Sequence, residues 1–84
     1  MKTTTQNQTD LTNRRIGFSF EEIKAFEYKA TGGNIHPKST HSPEGENEIQ
    51  IRVPDSIYVK IMYFRKRGNK FYYNGSETYY PNHN

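Results

Sequence analysis

From residue 48 onward, apolar and polar positions alternate with a period of two. Ile49, Ile51 and Val53 share one side with Gln50 and Arg52 opposite, the pattern of a half-buried strand, and Pro54-Asp55 reads as the turn that ends it. A second strand follows. Ile57, Val59, Ile61 and Tyr63 alternate with Tyr58, Lys60, Met62 and Phe64, so both of its faces carry large side chains. The chain reverses between Arg65 and Lys70. Gly68-Asn69 suits a two-residue turn, whereas a four-residue loop at 66–69 pairs Phe64 with Phe71, and the two choices place different side chains on each face. Residues 71–73, the turn dipeptide Asn74-Gly75 and residues 77–80 then supply a third strand and room for a short fourth.

Upstream the period lengthens. Ser19 and Glu22 have capping-box spacing, Glu21 and Glu22 occupy a first turn, Lys29 lies near the other end and Gly32-Gly33 stops the run. Phe20, Ile23, Phe26 or Glu27, and Ala30 form the stripe of a helix over 20–31. Alternation of Phe18 with Phe20, and of Phe26 with Tyr28 and Ala30, leaves a strand as the competing assignment. The expected fold is α+β: one N-terminal helix packed on a three- to four-stranded antiparallel meander. Ile51, Val59 and Ile61 are expected to be buried, with Phe20, Ile23 and Phe26 packed on the sheet.

Two segments have no periodicity. Residues 1–13 are polar apart from Met1 and Leu11, too little to offset the entropy of ordering, and read as a flexible tail before a single domain at 14–84. Residues 33–48 read as a long, net acidic loop with Ile35 as their one aliphatic side chain before the strand pattern begins. The whole chain has 84 residues and its Leu, Ile, Val and Phe come to 15, so the core must be small. There is no cysteine, which excludes a disulfide scaffold and a thiolate zinc site. No apolar run reaches the roughly 18–20 residues of a membrane span, and the first residues lack a secretory apolar stretch, so a cytoplasmic location with no membrane partner is expected.

Charge is the most informative feature of this half of the chain. The net charge is +3, but residues 49–84 alone carry +4, concentrated in Lys60, Arg65, Lys66, Arg67 and Lys70. No acid interrupts these 11 positions, and Tyr58, Tyr63, Phe64, Phe71, Tyr72 and Tyr73 lie within or on either side of them. Cations neutralise phosphate with release of counterions, and aromatic faces stack on unpaired bases, so this hairpin points to RNA or single-stranded DNA. The candidate binding residues are Lys60, Arg65, Lys66, Arg67, Lys70, Phe71, Tyr72 and Tyr73. The same composition suits a strand pair whose rings are core and whose charges guard the sheet edges.

Arg14-Arg15 offers a second phosphate contact, or simply two solvated residues ahead of the first ordered element. Other chemistry is thin. His36, His41 and His83 with Glu44, Glu46 and Glu48 lack the spacing of a metal site, and the histidines fall where no scaffold could hold a general acid and base in reach. Neither a metal, a cofactor nor catalysis is expected. The alternative partner is a protein: Tyr72, Tyr73, Tyr79 and Tyr80 beside a Gly- and Asn-rich turn have the composition of adaptable binding surfaces. In composition the chain looks like accessory proteins of phages and mobile elements that plug a nucleic-acid-processing enzyme. That likeness names no family, and it leaves the oligomeric state open.

Overall fold

The computed structural model describes residues 10–39 and 47–81. Its order is α1 (Phe20–Thr31), β1 (Glu48–Asp55), β2 (Tyr58–Arg67) and β3 (Lys70–Tyr79), with the strands in an antiparallel sheet of order β1-β2-β3. This is the expected α+β fold with three strands.

Local signals set the helix. The Ser19 hydroxyl accepts the Glu22 amide at 3.1 Å, and the Glu22 carboxylate accepts the Ser19 amide at 2.8 Å, so two otherwise unpaired donors are satisfied reciprocally. Gly32 closes the other end in the left-handed conformation, φ 65°. The strand alternative survives only at Phe18, which forms one antiparallel bridge with Phe71 through hydrogen bonds of 2.9 and 2.8 Å. That bridge covers part of the β3 edge.

Register decides the two faces of the sheet. Ile49, Ile51 and Val53 lie opposite Phe64, Met62 and Lys60, and Phe64 lies opposite Tyr73. The face they share turns toward α1, where Ile23, Phe18 and Leu11 complete the core and Phe20, Phe26 and Tyr73 flank it. Ile51 and Ile61 are buried as expected and Val59 is only half-buried. Ile61 is not part of that core: it pairs with Arg52 and Glu77 on the opposite face, where neighbouring side chains cover it to 8% exposure.

Several expectations need correction. Leu11 is 2% exposed and belongs to the core, so ordered packing begins before Arg14. Asp10 helps to hold it there, its carboxylate accepting the Thr12 amide at 3.1 Å and hydroxyl at 2.6 Å. The remainder of the expected tail, residues 1–9, lies outside the described residues, as do 40–46 of the loop. The β1–β2 turn is Ser56-Ile57, not Pro54-Asp55, because Asp55 already pairs with Tyr58. Pro54 is tolerated in the strand because the Arg52 amide points outward from β1, and two residues on Pro54 occupies the same outward position, where no ladder bond is lost. Asn74-Gly75 is a bulge inside one long β3, not a turn: Phe64 faces Tyr73 while Met62 faces Ser76, leaving both residues opposite Tyr63 alone.

Candidate functional site

The hairpin resolves to the two-residue turn Gly68-Asn69, with Arg67 opposite Lys70, Lys66 opposite Phe71 and Arg65 opposite Tyr72. Positive φ is confined to Gly68, the first central position, where glycine carries no steric penalty. Alternation then splits the basic cluster. Arg65, Arg67, Lys70 and Tyr72 share the face away from α1, whereas Lys60, Lys66, Phe71 and Tyr73 share the covered face.

The rings fare differently from the charges. Phe71 is 4% exposed in the core with the Lys66 ammonium 5.9 Å from its ring centre, so it has no free face for a base. Tyr73 packs edge-on against Phe64 at 6.0 Å, lies under the Arg14 guanidinium at 5.2 Å and shares a 2.7 Å hydrogen bond with Ser76. Arg14 is therefore a packing residue that holds the N-terminal segment to β3. Tyr72 is half-buried, with the Arg67 guanidinium 4.2 Å from its ring centre. Its ring end also presses on Gly17, where even a single added carbon would come within 2.7 Å of it.

The bulge adds what the period of two does not show. It shifts the parity of β3, so Glu77 and Tyr79, rather than Ser76 and Thr78, join Tyr72 on the open face. Tyr63 and Val59 of β2 share that face. No helix or strand among the described residues packs on it. The assembled surface runs from Arg67, Lys70 and Arg65 at the turn, through Tyr72 and Tyr63, to Glu77 and Tyr79. Tyr63 and Tyr79 lie outside the expected nucleic-acid contacts: in the sequence Tyr63 is only an interleaved ring and Tyr79 part of a protein-binding cluster. The signals for them were the shared parity of Tyr63 with Arg65, and the glycine of Asn74-Gly75 interrupting a strand pattern.

Electrostatics on this face is uneven. Among the described residues the one ion pair is Lys24–Glu27, so Arg65, Arg67 and Lys70 form no ion pair with a described residue. Glu48 lies opposite Arg65 on β1, with a carboxylate oxygen 3.5 Å from the Asn74 amide nitrogen. Tyr63 donates its hydroxyl to Glu77 at 3.3 Å. Partial burial first, then the Glu77 charge and this hydrogen bond, raise the Tyr63 phenol above its ordinary value.

At the other end of the sheet, Ile57 and Tyr80 are each 62% exposed, and Tyr58 packs edge-on against Tyr80 at 6.1 Å. An open groove of about 320 Å³ is lined by Ile57 and Tyr58 together with Asn34, His36, Val59 and Pro81. The His36 ring nitrogen Nδ1 accepts the Lys38 amide at 2.9 Å. His41, His83, Glu44 and Glu46 lie outside the described residues, and no three acidic or histidine side chains converge among the rest. No helix in the described residues is long and apolar enough to cross a membrane. Comparison with protein-family models, curated proteins and solved structures finds no match.

Proposed function

We propose that this chain is a non-enzymatic binder of RNA or single-stranded DNA that works through the open face of its sheet. The observation that carries the reading is the placement of three cations, Arg65, Arg67 and Lys70, none of them ion-paired with a described residue, on the same face as Tyr63 and Tyr79, with Tyr72 held there between Gly17 and Arg67. Cations at the turn draw in the phosphate backbone, and tyrosines standing off a sheet give unpaired bases a surface to stack on. Phe71 and Tyr73 support the platform from beneath and Lys60 lies on the covered side, so these three leave the set of contact residues. Lys66 covers the Phe71 ring from the same side and is at most a peripheral contact. A cytoplasmic location, where such ligands are abundant and cysteine-free chains need no oxidant, fits this role.

The test is titration of labelled single-stranded RNA and DNA at about 50 mM salt, where electrostatic association is strong, and again at several-fold higher salt. Binding that weakens steeply with salt and is lost when Arg65, Arg67 and Lys70 are all replaced by alanine supports the proposal. Absence of binding at low salt overturns it.

One observation favours a protein partner instead: the exposed Ile57, Tyr58 and Tyr80 form an apolar patch beside a groove, at the opposite end from the cations. In that reading the chain occupies a nucleic-acid-processing protein. Ile57→Asp with Tyr80→Asp would then abolish its capture by the partner while leaving nucleic-acid affinity unchanged.

A further inference from the structure

Glu77 is out of place on a surface that attracts phosphate. It is exposed, it stands between Tyr63 across the strand pair and Tyr79 two residues along β3, and one carboxylate oxygen takes the Tyr63 hydroxyl at a long 3.3 Å. Its other oxygen has no partner among the described residues. Glu77 lies opposite Ile61, four residues from Arg65 along β2, which is about 13 Å at roughly 3.3 Å per residue. Its backbone is thus displaced along the sheet from the turn that carries the cations, and it forms no ion pair with them.

A carboxylate only accepts hydrogen bonds. Beside the half-buried rings of Tyr63 and Tyr79, it would therefore select among the edges of a base stacked there. Uracil offers one N–H between two carbonyls, and adenine and cytosine each offer an amino group next to a ring-nitrogen acceptor. Guanine alone offers two adjacent donors, N1–H and the N2 amino group, which match the two oxygens of a carboxylate.

Resting on the nucleic-acid reading of this face, we propose that Glu77 makes the site selective for guanine: the base stacks on Tyr63 or Tyr79, with its N1–H and N2 amino group donated to the Glu77 carboxylate, while Arg65, Arg67 and Lys70 hold the neighbouring phosphates. The preference needs both donors, so inosine, which keeps N1–H and lacks the amino group, falls between guanine and uracil.

The experiment is competitive binding of the full chain to oligouridylates carrying one central guanine, inosine, adenine, cytosine or uracil. Guanine is expected to bind roughly tenfold tighter than uracil, the scale of bidentate base readout, with inosine intermediate. Glu77→Gln should erase the guanine preference and leave affinity for the all-uracil strand unchanged or higher, since a negative charge is removed. Equal affinities across the five strands, a preference for another base, or a guanine preference that survives in Glu77→Gln overturns the inference while leaving the nucleic-acid reading intact. Failure of every strand to bind at about 50 mM salt overturns both.

Discussion

Glu27 of α1 reaches the outer edge of β1, where one carboxylate oxygen accepts the Arg52 amide at 3.4 Å and the other pairs with Lys24 at 2.8 Å. The residue is 0% exposed, a charge placed among apolar neighbours to close an edge that would otherwise offer a free donor to another chain. Glu27→Ala leaves the Arg52 amide without its partner, at an expected cost of about 2 kcal/mol. Glu27→Gln keeps an acceptor for that amide and gives up the ion pair, which Lys24 can replace with water, so it should cost about half as much. Urea midpoints measure both, and an unchanged midpoint in Glu27→Ala would show that the edge contact contributes nothing.

Leu11 tests where the domain begins. At 2% exposure its truncation removes a whole side chain from a small core, and Leu11→Ala should destabilise the fold by about 2–4 kcal/mol. Removal of residues 1–13 should destabilise the fold by a similar free energy and lower its melting temperature accordingly. A melting temperature unaffected by that truncation would return these residues to the status of a passive tail.

What could be read beforehand follows from how local each signal is. The capping box at Ser19 and the stop at Gly32 lie within four residues of the groups they satisfy, so the limits of α1 were legible. β2 was ambiguous because Ile61 and Met62 are both bulky, and only pairing with β1 shows that Met62 faces α1. Leu11 was illegible because a lone apolar residue has no period, and its burial is visible only in the folded contact. The candidate site divided along the same line. The cations were legible as a run, but the loss of Phe71 and the gain of Tyr79 depend on the turn register and the bulge, which are set by long-range pairing.

Two positions with positive φ respond oppositely to substitution. Ser56 has φ 60°, a conformation in which its Cβ is crowded, so Ser56→Gly should stabilise the protein by about 1 kcal/mol despite the added freedom of the unfolded chain. Gly75 has φ 109°, where a side chain is strained, and Gly75→Val should cost about 1–3 kcal/mol. Since the bulge sets the parity of Glu77 and Tyr79, the Gly75 variant should also lose nucleic-acid affinity at temperatures where it remains folded. Thermal melts and a binding titration separate the two effects, and normal binding in a folded Gly75→Val protein would detach the bulge from the site.

Tyr63 gives the protein a dependence on alkaline pH. Its phenol is raised above the ordinary value of about 10, so the folded state holds the proton more tightly than the unfolded chain. The stability this contributes is fully present below about pH 10 and is lost as pH rises through the folded value. Tyrosinate absorbance should show a phenol ionising above the ordinary value, and Tyr63→Phe should remove that step. Glu77→Gln removes an adjacent charge and should bring the step down toward the ordinary value. An unshifted step in Glu77→Gln would show that burial alone holds the proton.

Attraction and stacking on the proposed surface separate by their dependence on salt. Each phosphate contact with a single strand contributes about 0.7 to the slope of log affinity against log salt, so a cation and a ring leave different signatures. Arg67 is exposed at the turn, and Arg67→Ala should reduce the slope by about that amount while weakening all sequences alike. Arg67 also lies over Tyr72, so Arg67→Lys serves as the control: it keeps the charge and should restore the slope even where ring packing is altered. Tyr79 carries no charge and lies outside the core, so Tyr79→Ala should cost about 1–3 kcal/mol of binding at every salt concentration with the slope unchanged. Tyr72 is the poorer probe of stacking, because its ring is pressed between Gly17 and Arg67 and its removal disturbs both. A Tyr79→Ala protein that binds as tightly as the parent would confine recognition to the phosphates, and the open face would then act through charge alone.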